Sequence, residues 1–162
     1  MKKTLLNLSW QVGLCALIVA LDRIVKLYIL NNFAVGEIFG TIPYVTDFMY
    51  VQNTGAAFSI FSNNTVLLAL VSVLFLIALI LYSMIKKPQH FMENLAISLF
   101  FAGGLGNAID RVQYKFVVDF IDIKWFDFPV FNIADIAVVL GAVSAIVYVV
   151  FYDKNGDKVC NK

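Results

Sequence analysis

Few residues in this chain carry charge, and few offer the soft side chains that disulfides and metal sites need. Of its 162 residues 14% are charged and 61% are hydrophobic. A soluble domain has about 25% charged and about 45–50% apolar residues. A core of this size has no room for such an apolar excess, so the composition predicts a membrane protein. It excludes disordered, collagen-like and disulfide-stapled secreted chains.

The few cysteines and histidines, and the motifs that are missing, narrow the chemistry further. Cys15 lies in an apolar run and Cys160 in a polar tail at the other end, so no disulfide is predicted. With His90 as the one histidine, few ligands remain for zinc, and the chain lacks the HExxH, GxSxG and P-loop patterns. The net charge of +1 provides no basic field for nucleic acid. Metalloprotease, serine hydrolase and nucleotide-driven activities are therefore disfavoured.

Four apolar segments are long enough to span a bilayer, because a spanning helix needs about 20 apolar residues. They cover about residues 4–30, 65–85, 91–112 and 133–152, with longer loops at about 31–64 and 113–132. A cleaved signal peptide is the alternative for the first segment, but no small-x-small cleavage pattern is evident before Asp22. We expect a single all-α membrane domain over residues 1–162.

The lysines set the expected orientation, because positive residues concentrate on the cytoplasmic side of a membrane. Most lie at the termini or in the short loop after the second segment: Lys2, Lys3, Lys86, Lys87, Lys154, Lys158 and Lys162. The two longer loops hold only Lys115 and Lys124. Both termini are therefore predicted to be cytoplasmic, and both long loops to face outward.

The first long loop contains a stretch of strand-forming residues, from Glu37 to Val45, interrupted by glycine and proline. It predicts one or two short strands at the membrane interface, with Phe39, Tyr44 and Tyr50 as aromatic anchors. An irregular loop is the alternative. The expected fold is thus four transmembrane helices with a small β-rich extracytoplasmic cradle in the first outer loop.

Charges inside a bilayer cost about 2.5–3.5 kcal/mol each on insertion scales, so their depth in the predicted spans is informative. Polar residues from every segment fall near the outer boundary: Asp22, Asn53, Asp110, Arg111, Asp119 and Asp135. An ion pathway spreads polar groups through the membrane, whereas a site that opens to one interface gathers them at one level. The set predicts an interfacial site, although each residue alone also suits a helix end that meets water. A small proton- or ion-coupled transporter that uses Asp22 and Asp110 is the rival hypothesis.

Residue spacing adds detail on two helices. On the third segment one face carries Gly103, Asn107, Asp110 and Arg111. The glycines leave this helix thin and permit close approach of a neighbouring helix or a substrate backbone. On the first segment Asp22 and Lys26 are spaced to pair at i, i+4, either as a structural pair or as part of the site.

Asp119 and Asp135 are separated by an aromatic loop, so they project from different elements and can face each other across a cleft. Two carboxylates in a partly dry site do not both ionise easily, so they share a proton and their apparent pKa values split. Such a pair suits amide cleavage: one carboxylate takes a proton from water while the other protonates or polarises the carbonyl. The residues alone do not select these two aspartates from the others.

Five short blocks occur in order along nearly the whole chain: Asp22–Lys26, Asn53–Phe58, Gly103–Arg111, Val117–Phe120 and Phe131–Asp135. They resemble the D-x-x-x-K, N-x-G-A-A-F and G-N-x-x-D-R motifs and the two aspartate blocks of the bacterial lipoprotein signal peptidases (signal peptidase II). That family consists of integral-membrane aspartyl endopeptidases. Each block alone is weak, but five at the family's spacing are specific. Arg23 and Ile136 depart from the family's pattern, which commonly has glutamine and a small polar residue there.

The resemblance implies that Asp119 and Asp135 are the catalytic pair. It implies a supporting set that shapes the site or holds the substrate backbone: Asp22, Lys26, Asn53, Gly55, Asn107, Asp110, Arg111 and Asn132. The implied substrate is a diacylglyceryl-modified prolipoprotein, cut on the amino side of the lipidated cysteine at the outer face of the bacterial cytoplasmic membrane. No metal or organic cofactor is implied. Membrane lipids are the other expected partners, and the expected state is a monomer.

Overall fold

The computed structural model describes residues 2–55 and 64–153. Within these ranges the elements are α1 (Lys2–Asn32), β1 (Ile38–Ile42), β2 (Thr46–Asn53), α2 (Thr65–Lys86), α3 (Phe91–Tyr114), β3 (Val117–Ile123) and α4 (Ile133–Phe151). The helix bounds lie within two residues of the predicted apolar segments. Outside the described residues lie Ala56–Phe58 of the second block, Cys160 and the three lysines of the C-terminal tail.

Helix α3 is the centre of the helical part, because it contacts α1, α2 and α4. Within the described residues three helices, α2, α3 and α4, are long and apolar enough to cross a membrane. The least apolar of them, α3, is also the most buried, and its polar residues Asn94, Ser98, Asn107 and Asp110 are buried inside the protein. That α1 forms a fourth span stays a prediction.

Glycines let α3 approach its neighbours closely. A Cβ atom added at Gly103 would lie 2.3 Å from the carbonyl oxygen of Ala134 and 2.7 Å from Cγ2 of Val138, both on α4. One added at Gly106 would lie 2.8 Å from Oδ2 of Asp22 on α1. Membrane helices use small residues for close backbone contact of this kind. The predicted approach of a neighbouring helix is therefore confirmed.

The three strands form one antiparallel sheet in the order β1-β2-β3. The strands of the first loop were predicted, but the assignment of the sheet to that loop alone is wrong, since β3 belongs to the second loop. The run Val117–Ile123 is rich in strand-forming residues. Its partner β2 precedes α2 and α3 in the chain, and a local pattern does not reveal pairing across that distance. The fold is mostly helical, with a sheet built from both long loops.

The sheet packs on the end of α1 through a small apolar core that contains Ile29, Tyr50, Val118 and Phe120. Tyr50 is only 3% exposed, so its predicted role as an interfacial anchor is wrong. Tyr44 lies at the turn between β1 and β2 and is 88% exposed. This core fixes β3 against α1 and α3, which determines where Asp119 lies.

The Gly103 contact predicts a specific stability defect. In the Gly103→Ala variant the new methyl group meets the Ala134 carbonyl, so α3 and α4 must move apart. We expect the free energy of unfolding to fall by about 1–3 kcal/mol, measured by thermal unfolding in detergent. The matched control is Gly13→Ala on α1, where an added Cβ has nothing within 4 Å. Because alanine favours helix, that variant is expected to be as stable as the parent or slightly more stable, and equal losses in both variants would contradict the packing argument.

Candidate active site

Asp119 lies in β3 and is 1% exposed. Its carboxylate accepts hydrogen bonds from Nδ2 of Asn53 at 2.8 Å and from Nδ2 of Asn132 at 2.6 Å. Burial, followed by the charge of Asp135, raises the pKa of Asp119 to about 7, and the two amide hydrogen bonds and the charge of Lys26 oppose the rise. This carboxyl group therefore exchanges its proton near neutral pH.

Asp135 is held by the first turn of α4. The side chain of Asn132 caps the helix by accepting from the Asp135 backbone N–H at 2.9 Å, and Oδ2 of Asp135 accepts from the Asn132 backbone N–H at 3.1 Å. This reciprocal capping box is a local consequence of the sequence Asn-Ile-Ala-Asp. The other oxygen, Oδ1, accepts from Nδ2 of Asn107 at 2.7 Å. The carboxylate is thus oriented by α4 and α3 together.

Asn107 and Asn132 connect the two carboxylates, and Asn53 supports Asp119 from a third element. The fully buried Asn132 donates through Nδ2 to Asp119 and also to Oδ1 of Asn107 at 3.1 Å. Asn53, at the end of β2, donates to Asp119 and accepts from the backbone N–H of Gly55 at 2.9 Å. Amides suit this task because each one donates and accepts at the same time.

Asp119 and Asp135 line the same cavity, which has a volume of about 470 Å³. Its polar part comprises these two residues with Asn53, Asn107 and Arg111. Most of its wall is apolar and comes from the loop before α4 and from the side of α4 itself: Phe126, Phe128, Pro129, Val130, Phe131, Ile136, Val138, Val139 and Leu140. The aromatic loop was noted in the sequence only as a spacer. Its role as a wall was missed, because nothing local to that loop indicates which helix it packs beside.

Arg111 brings a positive charge to the polar part of the cavity. Its Nη2 donates to the carbonyl oxygen of Gly55 at 3.3 Å. Its Nε is buried and has no hydrogen-bond partner among the described residues. A buried donor without a partner is costly, and the guanidinium group lines the cavity beside the two carboxylates.

A cluster of four charged residues lies behind the asparagines. The ammonium of the fully buried Lys26 lies 2.9 Å from Oδ2 of Asp22 and 2.9 Å from Oδ2 of Asp110. The guanidinium of Arg23 pairs with the other oxygen of Asp110. We call these four residues the ionic cluster. Because two cations balance two anions, its burial leaves no net charge in the apolar interior.

The ionic cluster also connects the elements around it. Oδ1 of Asp22 accepts from the backbone N–H of Ala134 at 3.1 Å, and Oδ2 of Asp110 accepts from the backbone N–H of Val118 at 3.2 Å. The predicted i, i+4 pair of Asp22 and Lys26 is therefore formed, but it is one part of a larger unit. The contribution of Arg23 was missed, since its partner lies on α3.

The structure brings the sequence-selected residues into two adjacent groups. Asp119, Asp135, Asn53, Asn107 and Arg111 line the cavity, and Gly55 and Asn132 contact that group. Asp22, Lys26 and Asp110 lie in the ionic cluster. Across residues 2–55 and 64–153, no group of three or more histidine, cysteine or acidic residues is arranged to hold a metal ion.

Comparison with known proteins identifies the family. The family model described as signal peptidase (SPase) II matches residues 14–151. The chain belongs to the signal peptidase II family. The resemblance seen in the five sequence blocks is thereby confirmed.

Curated members of the signal peptidase II family match over most of their length. The lipoprotein signal peptidase of Clostridium tetani is 34% identical and that of Clostridium acetobutylicum is 37% identical, each over 86% of this chain and 92% of the relative. The lipoprotein signal peptidase of Streptococcus pneumoniae is 36% identical, over 87% of this chain and 92% of the relative.

Two solved structures described as bacterial membrane enzymes share the fold of this signal peptidase II family member. One has a TM-score of 0.85 at 33% identity and covers 91% of each chain. The other has a TM-score of 0.81 at 33% identity and covers 89% of this chain and 94% of its own. The chain is therefore similar to membrane enzymes in sequence and in structure.

The raised pKa of Asp119 predicts how stability depends on pH. Below its usual pKa near 4 the group is protonated whether the protein is folded or unfolded, so it contributes no pH dependence. Between about 4 and 7 only the unfolded chain releases the proton, so the stability of the parent falls by about 1.4 kcal/mol per pH unit. Asp119→Asn lacks this loss, so its stability relative to the parent is expected to rise over this range and to level off above about pH 7. Thermal unfolding in detergent across pH 4–8 measures it, and a pH-independent difference would contradict the assignment.

Proposed function

We propose that this protein removes the signal peptide from diacylglyceryl-modified prolipoproteins, cutting on the amino side of the lipidated cysteine. The observation that carries the proposal is the pair of Asp119 and Asp135, joined through Asn132, in the polar part of a cavity with an apolar wall. Membership of the signal peptidase II family supports it, and the curated relatives are lipoprotein signal peptidases.

The aspartate pair provides acid–base catalysis of amide hydrolysis. With a pKa of about 7, Asp119 can hold the proton that the two carboxyl groups share. The ionised partner takes a proton from a water molecule, whose oxygen attacks the scissile carbonyl carbon while the protonated partner donates to the carbonyl oxygen. When the tetrahedral intermediate collapses, the C–N bond breaks and the leaving nitrogen takes the proton that came from water. The other carboxylate takes a hydroxyl proton from the intermediate as the new carboxyl group forms. Each group thus changes its protonation state twice, and the pair is restored.

The apolar wall explains why a lipid-anchored substrate suits this cavity. Phe126, Phe128 and Phe131 line the cavity that holds both carboxylates, together with Val139 and Leu140. Acyl chains and an apolar signal segment gain free energy by contact with such a wall, and the adjacent polar groups receive the peptide bond. The site then lies where lipid meets water, which fits four spans, cytoplasmic termini and an active site toward the outer face of the cytoplasmic membrane.

Arg111 is proposed to orient the substrate. Among the described residues that line the cavity it is the one cation, and its guanidinium group carries several N–H donors. A substrate carbonyl oxygen is the natural acceptor for such a donor, and this contact places the scissile bond relative to the carboxylates.

The transporter hypothesis is not favoured. Asp22 and Asp110, the carboxylates it requires, are fully buried and paired with Lys26 and Arg23. Carboxylates that neutralise a structural cluster are not available to carry an ion through the membrane. The family comparison also points to a protease.

Replacing either aspartate is expected to abolish cleavage. Asp119→Asn and Asp135→Asn keep the side-chain shape but remove the shared proton chemistry, so kcat should fall by about 10³-fold or more. The measurement is cleavage of a diacylglyceryl-modified prolipoprotein by purified protein, with thermal unfolding as the check on folding.

Asp122→Asn is the matched control for that experiment. It makes the same substitution on the same strand, at a position whose side chain points to the opposite face of the sheet from Asp119. Cleavage should be unchanged in this variant. Normal cleavage by Asp119→Asn or Asp135→Asn would overturn the proposed function.

Arg111→Ala is expected to lower kcat/KM by about 10–100-fold, because the substrate loses an orienting contact. Arg111→Lys retains the charge but not the planar group of donors, so it should restore activity only in part. Lys115→Gln, at an exposed position beyond the end of the same helix, serves as the control and should cleave normally. Unchanged kinetics in Arg111→Ala would refute the orienting role.

A further inference from the structure

Lys26 has a contact that charge pairing alone does not require. Besides its ion pairs with Asp22 and Asp110, its Nζ donates a hydrogen bond to Oδ1 of Asn107 at 3.0 Å. Lys26 is fully buried and is not one of the residues that line the cavity. Of its three partners among the described residues, Asn107 is the one that is itself hydrogen-bonded to a member of the aspartate pair.

The ammonium group fixes which end of the Asn107 amide points toward it. An ammonium group only donates hydrogen bonds, so the atom it faces must be the amide oxygen. The same oxygen accepts from Nδ2 of Asn132 at 3.1 Å, which is a second donor. The NH₂ group of Asn107 must then point the other way, where it donates to Oδ1 of Asp135 at 2.7 Å. A flipped amide would set donor against donor at two contacts and remove the donor from Asp135.

We propose that Lys26 is a positioning residue, whose buried ammonium group fixes the orientation of the Asn107 amide and through it the Asp135 carboxylate opposite Asp119. The inference rests on the proposed function, since it concerns how the aspartate pair is prepared for catalysis. It assigns to the first helix, through Asn107 on α3, an influence on a pair whose members lie on β3 and α4.

The charge of Lys26 also acts on the pair at a distance. The charged groups that face Asp119 are Asp135 on α4, Arg111 on α3 and Lys26 on α1. Lys26 opposes the rise in the pKa of Asp119, which burial and the charge of Asp135 cause. Removing the Lys26 charge is therefore expected to move the titration of Asp119 to higher pH.

Lys26→Met tests the inference, because methionine preserves an unbranched buried side chain without the charge. We expect kcat for a diacylglyceryl-modified prolipoprotein to fall by about 10–100-fold. Losses of this size follow when a residue that orients a metal-ligating side chain is replaced. KM should stay within about twofold, because Lys26 does not line the cavity. The basic limb of the kcat–pH profile should shift to higher pH.

A double-mutant cycle with Asn107→Ala tests whether Lys26 acts through the amide. If it does, the double variant Lys26→Met/Asn107→Ala should be no slower than Asn107→Ala alone. If the fold-losses in kcat of the two single variants multiply in the double variant, the inference is overturned.

Arg23→Gln is the matched control, because it removes the other cation bonded to Asp110 without touching Asn107. It should lower thermal stability while kcat stays within about twofold and the pH profile stays in place. Equal kinetic effects of Arg23→Gln and Lys26→Met would mean that the cluster acts only through stability, which contradicts the inference.

Three outcomes separate the possible failures. If Lys26→Met does not fold, Asn107→Ala decides alone, since normal kcat in that variant would rule out a positioning chain through Asn107. If the parent protein does not cleave the lipidated substrate at all, the proposed function fails. If the parent cleaves normally and the cycle is multiplicative, only the positioning role fails.

Discussion

The ammonium group of Lys26 is completely buried, and the apolar interior can hold it only because two carboxylates and an amide oxygen surround it. Other features of the structure follow from this requirement. Asp110 places α3 beside α1, and Asp22 contacts the first turn of α4 through the Ala134 N–H. An added Cβ at Gly106 would meet Asp22 at 2.8 Å, so a larger residue there would compete for its space. The ionic cluster therefore sets the spacing of the helices that carry the site.

The asparagines separate this fixed charge cluster from the carboxylates proposed to react. Asn107 accepts a hydrogen bond from Lys26 and donates one to Asp135, and Asn132 donates one to Asp119. These neutral amides thus link a cation to two acids without adding a charge. Asp119 and Asp135 both line a cavity whose wall is mostly apolar. A dry setting raises the pKa of Asp119 to about 7, which suits a group that must both release and accept a proton near neutral pH.

Local patterns predicted the helices well, because apolar length alone determines where a membrane helix can run. The pairing of Asp22 with Lys26 and the cap formed by Asn132 and Asp135 are also local, since each depends on a spacing of three or four residues. The strand β3 and the burial of Tyr50 were not predicted correctly. Both depend on the pairing of β2 with β3, which are separated in the sequence by α2 and α3. No short window of sequence contains that information.

By itself the sequence determined the membrane class, the positions of the helices and, through five ordered blocks, the family. It also determined which polar residues are too costly to bury without a partner. Only the tertiary structure decided the partners: Arg23 joins Asp110, Lys26 orients Asn107, and the loop from Phe126 to Phe131 becomes the wall of the cavity. The reason is physical, since a hydrogen bond or an ion pair depends on distances and angles in space. Residues far apart in the chain acquire these only when the helices and the sheet pack together.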